Sequence, residues 1–414
     1  MAICQRLNSA IGVPRAGHVL QSRRREACHF PAGTFRSWRL ASEEPGHHRS
    51  ISSTRASPRI HVLGLGSIGT FTAHSLADIP ARPAVNLLLH RSSLMNEYLR
   101  TRKRLLLQTR EGQQIAQTGY GVEVLNGKEW HTVQELRIVG NAEALQLPGP
   151  PTDEIINDLI VCVKSTQTVA ALQPLLPRLS RTSNVTFLQN GAGMIEDANM
   201  FLWPDPHTRP NYITGVISHG ITLNGPFNVT HTGPAATSVG PVPREDGDIS
   251  QTPSPLLEIL PLAPRLNCRA YPWPTILQIQ LEKLACNALS NPICALEDAV
   301  TAYILSIPET NKRLMQEISS VILALPELQG VEGVKERFSA KALHATVMDI
   351  IEKNRATTVS MVWDMRHRRE TEIRYINGYW ARRGREVGAR TPLNDELVER
   401  VQAMTKDRLR ETRS

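Results

Sequence analysis

Lys283, Asn287 and Asn291 stand four residues apart in the run Leu281-Glu282-Lys283-Leu284-Ala285-Cys286-Asn287-Ala288-Leu289-Ser290-Asn291-Pro292. On a helix that spacing puts the three side chains on one face, each a turn from the next. One ammonium and two carboxamides offer a single cation flanked by neutral donors and acceptors. Such a face can grip a small polar oxyanion and protonate it. The plain alternative is a solvated helix side that repeats every four residues. The apolar residues between them suit an amphipathic helix, and Pro292 is expected to close it.

A second set of residues lies far upstream. Ile60-His61-Val62-Leu63 reads as a buried strand running into Gly64-Leu65-Gly66-Ser67-Ile68-Gly69, and residues 70–77 read as a helix. This is the G-x-G-x-x-G pattern between strand and helix that binds dinucleotides. Gly64 suits the tight turn, Gly66 a close approach to pyrophosphate, and Gly69 the packing of helix on strand. The next strand, Val85-Asn86-Leu87-Leu88-Leu89, ends in His90-Arg91 where an NAD-binding chain carries an acid. An acid there would repel a ribose 2′-phosphate, whereas Arg91 forms charge-assisted hydrogen bonds with it. The sequence therefore points to NADP(H).

These residues require elements that position them. Asp158-Leu159-Ile160-Val161-Cys162-Val163 reads as a buried strand with Lys164-Ser165-Thr166-Gln167 at its carboxyl end. A helix over 169–176 follows, then the strand Val185-Thr186-Phe187-Leu188 and the segment Gln189-Asn190-Gly191-Ala192-Gly193. Strands alternating with helices predict a doubly wound parallel sheet, whose ligands sit outside the carboxyl ends of the strands. Residues 94–107 read as a basic helix and 119–127 as a hairpin. Residues 213–218 and 228–232 read as strands, with turns at His219-Gly220 and Thr232-Gly233, and 241–255 as a surface loop. Beyond Pro272-Trp273-Pro274 the expectation is helices alone, over 295–305, 311–325, 342–353, 359–364, 372–383 and 394–405. The fold class expected is α/β: a Rossmann-type sheet domain over 58–272 followed by an all-helical domain over 273–414, with a cleft between them.

Composition narrows the partners. The chain has 414 residues, 41% hydrophobic and 21% charged, as an ordinary globular protein has. No apolar run reaches the roughly 18–20 residues of a membrane-spanning helix. The formal charge of +8 is concentrated at the start, where residues 1–57 carry nine arginines against three glutamates. The near-neutral remainder gives no electrostatic reason to expect nucleic acid. Rich in Arg and Ser, poor in acids and without an apolar centre, residues 1–57 read as a mitochondrial import leader, or else as a disordered extension. The six cysteines show neither metal-ligand spacing nor disulfide density, so a reducing compartment and no metal are expected.

The ordered set of motifs resembles the ketopantoate reductase (2-dehydropantoate 2-reductase) family in its fungal form. The set comprises Gly64-Leu65-Gly66-Ser67-Ile68-Gly69, Val163-Lys164, Gln189-Asn190-Gly191, Lys283-x3-Asn287-x3-Asn291-Pro292, Ser360-Met361 to Asp364, and Thr371-Glu372-Ile373-x2-Ile376-Asn377-Gly378. The resemblance implies an NADPH-dependent reduction of a 2-oxo acid, with Lys283 as general acid at the ketone oxygen. It makes Glu372 the residue that positions lysine and substrate, and Asn287, Asn291 and Ser360 substrate-binding. Lys164 and Asn190 would stand near the cofactor and the bound substrate. The implied reaction makes (R)-pantoate for coenzyme A synthesis. The rivals are a reductase of the same fold acting on another branched 2-oxo acid, and a non-catalytic NADP-binding regulatory protein. A homodimer is left open.

Overall fold

The computed structural model describes residues 59–133, 151–244 and 254–410. The leader expected over 1–57 and much of the loop expected over 241–255 lie outside them. Described in chain order, the first part holds β1 (Arg59–Leu63), α1 (Ser67–Ala77), β2 (Ala84–Leu89), α2 (Ser92–Arg100), β3 (Leu105–Gln108), β4 (Gln114–Gln117), β5 (Gly121–Asn126) and β6 (Glu129–Thr132). Then come β7 (Asp158–Val161), α3 (Thr168–Leu172), β8 (Asn184–Phe187), α4 (Met194–Phe201), β9 (Asn211–Ile217), β10 (Gly220–Gly225), β11 (Asn228–Gly233), β12 (Thr237–Pro241), α5 (Leu256–Ile259) and β13 (Cys268–Ala270).

Nine strands form the main sheet in the order β13-β12-β9-β8-β7-β1-β2-β5-β6. Its six central strands run parallel, and β6 and β12 pair antiparallel to their inner neighbours. The chain winds one way from β1 through β2 to β5 and the other way from β7 through β8 to β9. The order therefore reverses between β1 and β7, which is where open α/β sheets take their ligands. Leu87 and Val62 face one apolar layer, and Leu88 and Leu63 the other. Burial on both faces is what continuous runs of Val, Ile and Leu in parallel strands require.

Two expectations are corrected here. The helix expected over 94–107 ends at Arg100, because Arg102 and Lys103 take left-handed φ values of 55° and 58°. The Leu105-Leu106-Leu107 run then becomes a strand, since three consecutive leucines fit either a helix or a buried strand. The residues after His219, read as a turn, form β10. Together β10, β11, β3 and β4 make a second, four-stranded sheet, seated beside α1 through Phe71 and beside α2 through an edge-on Tyr98–Phe227 pair at 5.1 Å.

The helical part comprises α6 (Trp273–Glu297), α7 (Pro308–Ala324), α8 (Val334–Arg337), α9 (Ala340–Lys353), α10 (Ser360–Arg366), α11 (Asn377–Val387) and α12 (Pro392–Arg410). Their apolar faces share one core around Leu289, Ile318, Val347 and Trp380. Contrary to expectation, Pro292 does not end its helix. α6 runs on for five residues and stops at Asp298, in the left-handed conformation. A proline inside a helix lacks the N–H that would reach the carbonyl four residues back. That carbonyl belongs to Ala288, and the fully buried Asn377 donates to it at 2.9 Å. A side chain from α11 thus makes up the bond that Pro292 removes. The helix expected over 295–305 is divided between the end of α6 and a 3₁₀ turn at Thr301–Ser306.

Among the described residues no helix is long and apolar enough to cross a membrane.

Candidate active site

The glycine loop connects β1 to α1. Gly64 has φ +93°, and a Cβ there would lie 2.5 Å from the Val163 nitrogen. A Cβ on Gly69 would lie 1.9 Å from the Gly64 carbonyl oxygen, so loop and helix approach as only glycine permits. Gly66 has nothing within 4 Å of its Cβ position and caps α1 without any side-chain bond. Its open side and the free N–H groups of an eleven-residue helix suit a pyrophosphate. Ser67 and Ile68 begin that helix, half-buried, with Leu65 buried beneath. Arg91 stands exposed one residue beyond the His90 that follows β2, as N-cap of α2. Its charge, after burial, helps to lower the pKa of His90.

The other site residues converge where β7, β8 and β9 end. Lys164, just past β7, is hydrogen-bonded to the Asp364 carboxylate of α10, with Glu372 Oε2 4.0 Å away. Ser165 donates from its N–H and its hydroxyl to Glu372 Oε1, both at 2.9 Å. The same hydroxyl lies 2.5 Å from the Asn190 carbonyl oxygen. Asn190, past β8, accepts from Lys283 Nζ through Oδ1 at 3.3 Å. Lys283 also donates to the Ile217 carbonyl at the end of β9. On the far side of this loop, the Ala192 N–H donates to the Tyr375 carbonyl at 2.9 Å, and the Tyr375 hydroxyl to Asp197 at 2.7 Å. The sheet ends and the segment around Glu372 are therefore fastened together by several short bonds.

Lys283 and Asn287 line a small open-sided cavity with Gln189, Asn190 and Gln280. Burial lowers the Lys283 pKa from 10.5 to about 8, opposed by the neighbouring Cys286 and Glu372. An amine so tuned is a proton donor matched to neutral pH. Asn287 and Gln280 make no side-chain hydrogen bond with the described residues, which leaves two carboxamides free for a ligand. Asn291, one turn further, is buried and accepts from Ser290 at 3.4 Å. Ser360 is exposed at the start of α10, and neither of these two lines the cavity.

The sequence-based list is thus gathered only in part. Lys164, Asn190, Lys283 and Glu372 form one linked cluster with Asn287 beside it. Glu372 binds Ser165 and approaches Lys164; toward Lys283 it acts only through space. Sequence reasoning missed the roles of Ser165, Asp364, Gln280 and the Ile217 carbonyl. Gln280 had a signal, since it precedes Lys283 by three residues on the same helical face. A backbone carbonyl leaves none.

A glycine-loop sheet with a tuned lysine at the carboxyl ends of its strands, on a helical second part, defines a two-part nicotinamide-dependent oxidoreductase. The chain belongs to the ketopantoate reductase family: residues 60–244 match ketopantoate reductase PanE/ApbA, and 275–405 its C-terminal part. A probable 2-dehydropantoate 2-reductase of Schizosaccharomyces pombe is 29% identical over 361 residues, covering 84% of this chain and 96% of that protein. The 2-dehydropantoate 2-reductase of Vibrio cholerae is 31% identical, over 59% of this chain and 77% of its own length. Among solved structures, a PanE/ApbA family ketopantoate reductase from Ralstonia eutropha superposes with TM-score 0.61 at 18% identity, over 84% of this chain and 99% of that one. A D-mandelate dehydrogenase holding NADH and anilino(oxo)acetate gives TM-score 0.60 with the same identity and coverage. Both likenesses concern the fold.

Proposed function

We propose that the protein reduces the ketone of 2-dehydropantoate (ketopantoate) to (R)-pantoate with NADPH. The observation that carries this reading is the placement of Lys283: a half-buried amine with its pKa lowered to about 8, bonded to Asn190 beside Asn287. NADPH, when bound along the glycine loop, supplies hydride to the carbonyl carbon. Lys283 donates to the ketone oxygen and gives up its proton as charge develops there. Asn190 and Asn287, which line the cavity, hold oxygens of the 2-oxo acid without adding charge. Glu372 keeps Ser165 and Lys164 in register at the strand ends, and its charge restrains the fall of the Lys283 pKa. Arg91 takes the 2′-phosphate. Arg91→Asp should weaken NADPH by about 10–100-fold, as loss of one or two charge-assisted bonds does, with little change for NADH; an unchanged preference removes Arg91 from the cofactor site.

The deciding experiment is NADPH oxidation by purified protein with ketopantoate beside a panel of branched 2-oxo acids. Turnover of another oxo acid with none of ketopantoate would move the assignment to that substrate. We also propose a mitochondrial location, on the Arg- and Ser-rich, acid-poor composition of residues 1–57; organelle import of a fusion carrying them tests it. The reaction calls for a small-molecule substrate and no nucleic acid, and sedimentation would detect a homodimer.

A further inference from the structure

Lys283 takes its direction partly from the carbonyl of Ile217, the last residue of β9. A backbone carbonyl can aim a side chain only as firmly as its own strand end is held. Two residues on, at the corner leading into β10, stands His219, 8% exposed. Its Nε2 lies 2.9 Å from the Leu266 carbonyl oxygen, and its Nδ1 receives the Ala235 N–H at 3.1 Å. A carbonyl accepts and an N–H donates, so the two backbone groups fix the proton of His219 on Nε2. His231 Nε2, 3.0 Å from His219 Nδ1, must then be the donor in that contact. The Nδ1 lone pair is shared between the two donors.

Both rings also pack on Phe71, with centroids 5.2 and 4.8 Å away. Phe71 belongs to α1, the helix that opens at the glycine loop. The couple thus joins the β9–β10 corner, β11 and the cofactor helix. Its surroundings keep it neutral. Burial and the charge of Lys283 lower His219, against its bond to Leu266. Burial, His219 and Arg265 push His231 down to about 4, opposed by Glu111 and the Gly233 backbone.

We infer that the His219–His231 couple is a positioning device for Lys283: it holds the β9–β10 corner so that the Ile217 carbonyl aims Lys283 Nζ, and through Phe71 it sets that corner against the helix of the glycine loop. The inference rests on Lys283 being the proton donor proposed above. It adds to the site two residues that touch neither reacting atom.

The test compares His231→Leu, which fills the space but cannot donate, with His231→Gln, whose amide can reach His219 Nδ1. NADPH oxidation is followed with ketopantoate, or with whichever 2-oxo acid the wild-type protein reduces. In H231L, kcat should fall by about 10-fold or more, since a displacement near 1 Å costs up to about 100-fold, while KM stays within about threefold. The alkaline limb of the kcat profile should move to lower pH, because Lys283 loses an acceptor that favours its charged form. H231Q should recover most of both. A folded H231L, judged by near-UV circular dichroism, that keeps wild-type kcat and limb overturns the inference, even if its thermal midpoint drops. Should H231L fail to fold, His231→Asn, too short to reach His219, is read by the same two measures. Wild-type protein inactive on every oxo acid would instead overturn the functional reading.

Discussion

The large sheet carries a buried polar cluster near each of its ends, and the two are built in opposite ways. Toward the amino ends of the strands, Glu123 of β5 accepts from Arg178 at 2.5 and 3.2 Å and from Asn86 at 2.6 Å, with His61 at 3.5 Å. Asn184 donates to Asp158 at 2.9 Å beside it. Partners there come from the same sheet domain, and Glu123, Arg178, Asn86, Asp158 and Asn184 answer one another, while the buried His61 ring approaches Glu123 without a hydrogen bond. At the carboxyl ends, Lys164 and Ser165 find partners on the helical part, while the Asn287 and Gln280 side chains bond none of the described residues. A closed network fixes a fold, whereas an open one receives a ligand. If this contrast is right, substitutions at one end should spend themselves on stability and at the other on turnover.

The largest effect is expected for Lys283→Ala. Loss of the proton donor and of the cation facing the developing oxyanion should lower kcat by about 10³-fold or more. NADPH affinity and the thermal midpoint should stay near wild type, because α6 tolerates alanine well. Turnover equal to wild type would remove Lys283 from the mechanism.

The mirror experiment is Arg178→Met at the closed end. Arg178 and Glu123 are both about 2% exposed, so removing one partner strands a buried charge and should cost about 3–5 kcal/mol of stability. Denaturant unfolding measures that cost. Per folded molecule, kcat should be unchanged; a kcat that fell as steeply as with K283A would erase the distinction between the two ends.

The contrast also explains which features are written locally in the sequence. The glycine loop, the parallel strands and the Lys283 helix were legible because their signals are local: an apolar run, a glycine spacing, a four-residue repeat. Continuation of α6 past Pro292 was not, since it depends on Asn377, 85 positions away in the chain, supplying the missing bond. The Leu105-Leu106-Leu107 strand was misread because three leucines fit a helix as well as a buried strand, and of its two partners β11 lies more than 120 residues on. Within the site, Ser165 and Ile217 escaped for the same reason: their importance lies in where the fold brings a hydroxyl and a carbonyl.

The subtlest separation of the two ends is by pH. Burial alone would raise the Glu123 pKa, but the nearby His61 ring and the hydrogen bonds and charge of Arg178 hold it at about 2, below the ordinary 4.5. A folded-state value below the unfolded one means stability that is present above pH 4.5 and lost as pH falls toward 2. The closed end should therefore register as acid destabilisation, weakened in Glu123→Gln. Lys283, lowered to about 8 from 10.5, loses its proton as pH rises through 8, and kcat/KM should fall with it. Yet between 8 and 10.5 the unfolded chain keeps that proton while the folded one has shed it, so this lysine's share of stability rises with pH. Between pH 7 and 9, activity should decline while the thermal midpoint does not. A midpoint falling in step with kcat/KM would mean that alkaline inactivation is unfolding, and that Lys283 is not the titrating group.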